Sequence, residues 1–184
     1  MACPITVSKF VGTVSLGLLT GLSYSTSSIT IPALKLLPTS STASRCLNEV
    51  KRLNRKHTLN FSALTNTCIF FAYSVSPPHR QHPYMLWMYV LNTVSSYGLD
   101  YYFNRHLGLK NWVIEVVCDT TGLSLGKSPS KKEEDLVLVD SEEDVNGESV
   151  QREMDRERRM HLVRAWISGI AFSVGIVGLW GDKK

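Results

Sequence analysis

Apolar side chains gather along the 184-residue chain into four long runs that hold no Asp, Glu, Lys or Arg. They are Phe10 to Leu34 with 25 residues, His57 to His79 with 23, Gln81 to Leu99 with 19, and Ala165 to Gly181 with 17. Twenty-five residues wound as a helix reach about 37 Å, more than the roughly 30 Å of a bilayer's hydrocarbon core. The pattern predicts helices near residues 7–31, 59–76, 83–104 and 161–180, and so an all-α fold: a small polytopic membrane protein of about four transmembrane helices. Within the first run, Phe10 to Leu22 is lipid-like, Ser23 to Thr30 is rich in hydroxyls, and Pro32 and Pro38 punctuate the exit. We read it as a retained span rather than a cleaved signal, because Lys9 is the only base before it and no Ala-x-Ala site follows. Pro77, Pro78 and Pro83 force a turn between the second and third runs. Tyr84, Trp87 and Tyr89 at one end of the third run, and Tyr97, Tyr101, Tyr102 and Phe103 at the other, resemble interfacial belts. The last run is short, so His161 and Arg164 are expected to snorkel outward to the interface.

The connections differ from one another. Thr39 to Thr58 carries Arg45, Lys51, Arg52, Arg55 and Lys56 against Glu49, and reads as a solvated basic loop; Leu47, Val50 and Leu53 allow a short amphipathic helix instead. Leu109, Trp112, Val113, Val116 and Val117 share one helical face and predict a short interfacial helix. Gly122 to Gly147 reads as an acidic flexible loop, and Ser149 to Arg159 as an exposed, charged helical stem. The expected organisation is therefore a three-span membrane region over residues 1–104 with a basic loop at 35–58. Residues 105–160 follow with the interfacial helix, acidic loop and stem, and 161–184 hold the fourth span and a short tail.

Composition sharpens this picture. A mean hydropathy of -0.03 and a net charge of +4 look ordinary. Yet Glu133 to Glu157 holds 11 acids against Arg152 and Arg156, a net of -9 that leaves +13 for the rest. Such segregation excludes a wholly disordered chain, a collagen-like repeat or a disulfide scaffold. Cys3, Cys46, Cys68 and Cys118 form no Cys-x-x-Cys pair and read as reduced structural thiols. No Gly-x-Gly-x-x-Gly, Walker A, His-Glu-x-x-His or Gly-x-Ser-x-Gly pattern occurs. His57, His79, His82, His106 and His161 stand at run ends and read as interfacial residues, and Asp100 as a solvated interfacial carboxylate. The expectation is no enzyme, no cofactor, no metal and no nucleic-acid partner.

Two further features carry information. Gly17 and Gly21 form a Gly-x-x-x-Gly pair beside Gly12, while Ala165, Gly169 and Ser173, then Ala171, Gly175 and Gly178, repeat small residues in the last run. Small residues at this spacing let helix backbones approach where lipid removes the hydrophobic drive, so the first and last spans should pack together or mediate a homo-oligomer. In the acidic loop, Ser141 before Glu142, Glu143 and Asp144 suits an acidophilic kinase and Ser128 before Pro129 a proline-directed one. Trp112-Val-Ile-Glu115 and Trp87-Met-Tyr-Val90 fail as modifier-binding motifs, the first by residue type and the second by lying in a span.

Three segments in order resemble the fungal autophagy-related protein 33 family. Ile5 to Leu22 looks like its opening span. Pro77 to Leu86 resembles its proline turn and His-Pro-Tyr start, and Gly175 to Asp182 its closing Gly-aromatic-Gly-Asp end. The resemblance implies a multi-pass protein of the mitochondrial outer membrane, in a family with one branch linked to mitophagy and a paralogue linked to suppression of a cell-cycle defect. Neither branch is a known enzyme, so no catalytic residues carry over. The expected function is a non-enzymatic, auxiliary factor in mitophagy. Its partners would be the bilayer, other outer-membrane proteins, and autophagy machinery reached through the acidic loop. A small transporter or channel component using Asn60, Asn66, Asn92 and Ser95, or a structural or biogenesis protein, are the alternatives. The positive-inside tendency puts the two long loops in the cytosol and both termini across the membrane.

Overall fold

Long runs without charge or proline favour continuous helices, and helices are what form. In a computed structural model, residues 4–77, 82–103, 105, 108–121 and 147–181 are described. Helix α1 (Pro4–Ser25) passes through a π-helical turn at Thr26–Thr30 into α2 (Ile31–Leu34). Helix α3 runs 36 residues, Ser40–Val75, and stops where Ser76 turns extended before Pro77. Pro83 opens α4 (Pro83–Thr93) at the first helical position, where its missing N–H is harmless. A second π-helical turn at Val94–Gly98 leads into α5 (Leu99–Phe103). Gly108, at φ 76°, supplies the left-handed turn before α6 (Leu109–Thr121). Helix α7 (Gly147–Gly181) spans 35 residues.

Hydroxyls bond back to helix carbonyls at both π-turns, as Thr20 and Thr67 also do within regular helix. Thr26 Oγ1 donates to the Leu22 carbonyl at 2.8 Å, Ser28 Oγ to that of Tyr24 at 2.7 Å, and Ser95 Oγ to that of Asn92 at 3.0 Å. Side chains that bond back in this way occupy carbonyls that an inserted residue displaces from the regular ladder.

Helix α1 packs against α3 and α7, and α4 closes the ring against the same two. Along this bundle the interior is layered. At one end lies an apolar core of Leu16, Leu19, Ile69, Ala72, Met85, Met88 and Ala171. At the other, Ile31, Ala43, Leu47, Val150 and Met154 form a second one. Between them most of the buried residues are polar, among them Thr26, Asn54, Thr58, Asn92, Ser95, Asp100, His161, Arg164 and Ser168, with Leu59 and Met160 set in among them. Among the described residues there is no strand. Two rods, Pro4–Leu34 and Gly147–Gly181, are long and apolar enough to cross a membrane by length and composition, with only 28% of each apolar window buried.

Two expectations need correction. The basic stretch from residue 40 to 58 is no loop but the first half of α3. The stem at 149–159 is not exposed all round, since Val150 and Met154 enter the second core against Leu47. The reason is long-range packing of Leu47 against Val150 and Met154, flanked by charge pairs, which single-segment periodicity cannot register. Lys51 Nζ sits 2.6 Å from Glu153 and 3.3 Å from Glu157, and Lys35 Nζ 2.6 Å from Asp155. Burial alone would push the Lys51 ammonium down, but the hydrogen bond to Glu153 and the charges of Glu157 and Glu153 outweigh it and raise the group. The hydrogen bond from Lys35 holds the Asp155 carboxyl below the usual carboxylate range.

Candidate functional site

The polar layer is where the chain concentrates its buried chemistry. Asp100, on α5, is 4% exposed. Its Oδ2 accepts from Arg55 Nη2 of α3 at 3.2 Å and from Trp112 Nε1 of α6 at 2.8 Å. Three elements are thereby joined through one oxygen. Opposite, Arg164 of α7 is 2% exposed and donates from Nε to the Ser95 carbonyl at 3.0 Å. That carbonyl lies in the second π-turn, so the irregular backbone is itself a ligand for the guanidinium. His161 Nδ1 stands 3.4 Å from Arg164 Nη1, and Ser168 Oγ donates to the Arg164 carbonyl at 2.7 Å.

One turn along α4, Asn92 Nδ2 donates to the Ser62 carbonyl at 3.2 Å, to Ser62 Oγ at 3.1 Å and to Asn66 Oδ1 at 2.8 Å. Asn66 Nδ2 then reaches Thr93 Oγ1 at 3.2 Å. On the α1 side, Asn54 Nδ2 donates to Thr26 Oγ1 at 2.9 Å, tying α3 to the first π-turn. The arrangement can brace four helices against one another by charge-assisted and amide hydrogen bonds. Among the described residues no three His, Cys, Asp or Glu side chains converge as a metal site would need.

Two readings of single residues change. Asp100 is not a solvated interfacial carboxylate, and His161 and Arg164 do not snorkel outward; all three point into the bundle. A signal was available: Asp100 is the only acid between Glu49 and Glu115, and a lone charge beside a span most often pairs inside the bundle. Of the residues offered as a transport path, Asn92 and Ser95 are buried and Asn66 is half-buried, but Asn60 is exposed.

The small residues lie as follows. A Cβ at Gly17 would stand 2.9 Å from the Phe172 ring, one at Gly175 would stand 2.7 Å from Met88, and one at Gly178 would strike the Tyr84 ring. At Gly12 it would meet Cys68 and Ile69 at 3.4 Å, and at Gly169 the Thr20 methyl at 3.5 Å. Gly21, in contrast, has open space around it. Ser173 Oγ bonds back to the Gly169 carbonyl at 2.9 Å. The candidate phosphorylation sites Ser128 and Ser141, with the acidic loop, lie outside the described residues, as do His79 and His106.

A family model described as Autophagy-related protein 33 matches residues 1–137, which take in α1 to α6. The chain belongs to the autophagy-related protein 33 family. Autophagy-related protein 33 of Gibberella zeae is 33% identical to it over 187 residues, covering 97% of this chain and 91% of that one. No solved structure matches. The family match includes Arg55, Asn92, Asp100 and Trp112, and the pairwise match takes in nearly the whole chain, so the polar layer sits inside the region of family likeness.

Proposed function

We propose that this family member is a four-span protein of the mitochondrial outer membrane that promotes selective autophagy of mitochondria as an auxiliary, non-enzymatic factor. The observation that carries the membrane part is an inversion of the usual arrangement. Trp166, Val177 and Trp180 are 69%, 72% and 79% exposed, while Asp100, His161 and Arg164 are enclosed. Water as solvent would favour the reverse; a hydrocarbon solvent requires polar groups to find partners inside. The spans are α1, the second half of α3, α4 with α5, and the second half of α7. The ion pairs from Lys35 and Lys51 to α7 bring the two long connections to one face, and the positive-inside tendency makes that face cytosolic. The acidic loop then meets cytosolic autophagy partners. Family membership supports the autophagy role, and the failure of both candidate modifier-binding motifs favours an auxiliary part over cargo recognition.

A transporter or channel component is the second reading, favoured by the buried Asn92 and Ser95. The outward position of Asn60 and the mutual bonding of Asn66, Asn92 and Ser62 speak for bracing instead. Deleting the gene and following vacuolar processing of a mitochondrial reporter during starvation tests the function: processing should fall while bulk autophagy holds. Unchanged processing removes mitophagy and leaves the transporter reading and a structural or biogenesis role. Carbonate should not extract the protein, and protease added to intact mitochondria should cut within 122–150; loss of the C-terminus instead reverses the orientation.

A further inference from the structure

On the outer face between α1 and α7 lies an open groove of about 720 Å³, within the size range of sites that hold one small molecule. Ala165, Gly169 and Ser173 line it from α7 and Thr20 from α1, with Tyr24 and Trp166 among its larger walls. Its two aliphatic hydroxyls bond back to their own helices: Thr20 Oγ1 donates to the Leu16 carbonyl at 2.9 Å and Ser173 Oγ to that of Gly169. What remains toward the groove is almost wholly apolar. The lining runs along α7 from Leu162 to Val174, which is about 18 Å of helix and close to the depth of one bilayer leaflet.

The end nearer the stem is charged. Arg158 and Arg159 precede Leu162 by four and three residues, so both lie one turn above it on the same side of α7, and both are exposed. Asp155, a further turn up, hydrogen-bonds Lys35 at 2.6 Å and feels the charges of Arg158 and Arg159 as well, so the two arginines and Lys35 together outweigh that one carboxylate. Helices α1 and α2 contain no acid at all.

Resting on the membrane reading above, we propose that this groove holds one anionic phospholipid, its acyl chain along Ala165, Gly169 and Ser173 and its phosphate on Arg158 and Arg159. Charge decides between this occupant and a second copy of the chain. In a twofold parallel dimer through the same surface each Arg158 would approach its own equivalent, and like charges repel. A phosphate at that place is attracted.

Trp166 reports on the groove directly. The full chain, reconstituted in phosphatidylcholine vesicles, is titrated with phosphatidylserine or with phosphatidylcholine carrying brominated acyl chains, and Trp166→Phe supplies the background of the other tryptophans. The Trp166 signal should be quenched by the brominated anionic lipid at a much lower mole fraction, up to about thirtyfold lower at about fivefold per arginine. Arg158→Gln with Arg159→Gln should abolish that preference, and Gly169→Leu should weaken quenching by both lipids. Equal quenching by the two lipids overturns the proposal. So does a Trp166 signal that neither lipid reaches, together with disulfide formation between two copies of Ala165→Cys, since a second copy then fills the groove. Co-flotation with the vesicles is scored first: a chain that does not float overturns the membrane reading and this proposal with it, whereas flotation without lipid preference overturns this proposal alone.

Discussion

Helices α3 and α7 each cross two regions built to opposite plans. Toward the stem, Leu47 and Met154 are enclosed and charged side chains such as Lys51 and Glu153 face outward, the arrangement water imposes. Further along the same two helices, Arg164, Ser168 and Ser62 turn inward while Phe70, Trp166 and Ile170 face out. The two plans differ mainly at the surface: beyond the stem the interior mixes the polar layer with Ile69, Ala72 and Ala171, and the surface over it is apolar. An average over either helix conceals both halves.

The comparison breaks hardest at Asp100. Replacing it with Leu leaves the Arg55 guanidinium without this carboxylate in a poorly solvated interior, a loss of about 3–5 kcal/mol by the precedent of broken buried pairs. Detergent-solubilised protein should show a large drop in unfolding midpoint, and Asp100→Asn should retain part of it through the Trp112 hydrogen bond. Next comes the stem core. Leu47→Ala or Met154→Ala should cost about 2–5 kcal/mol, read as earlier hydrogen exchange over residues 40–58 and 147–160, whereas Leu18→Ala on the outer face of α1 should leave the same exchange unchanged. Equal effects at the two kinds of position would remove the claimed inversion.

A smaller effect attends Asn92→Leu. Interhelical amide bonds in a membrane average about 0.6 kcal/mol and reach about 2 kcal/mol, so the α3–α4 contact should loosen without unfolding, seen as faster hydrogen exchange over residues 83–93. The smallest concerns the stem ion pairs, which stand at the surface and are screened by solvent. Lys51 is raised, so its contribution is complete below the unfolded lysine value and fades as pH climbs through the folded one. Asp155 is lowered, so its contribution holds above the unfolded aspartate value and fades as pH falls through the folded one. Stem protection, the exchange rate relative to that of an unfolded amide at the same pH, should therefore be greatest between these limits and weaker in high salt, with Lys51→Glu and Glu153→Lys each lowering it and the double swap restoring it.

Reading the chain alone located the apolar helices, though not the basic first half of α3, because charge-free runs and prolines are local facts. Pro77 ends one rod and Pro83 starts another wherever the bundle goes. The family, too, was legible, in the segments at Ile5, Pro77 and Gly175. The polar layer was not. Arg55 meets Asp100 across 45 positions and Arg164 reaches Ser95 across 69, separations at which no periodicity speaks. The π-turn at Val94–Gly98 adds to the difficulty, because an inserted residue rotates everything after it and carries Asp100 off the face a 3.6-residue repeat would assign. Which side of an apolar helix faces lipid and which faces a neighbour is set by the partner it meets, and that partner exists only once the tertiary structure has formed.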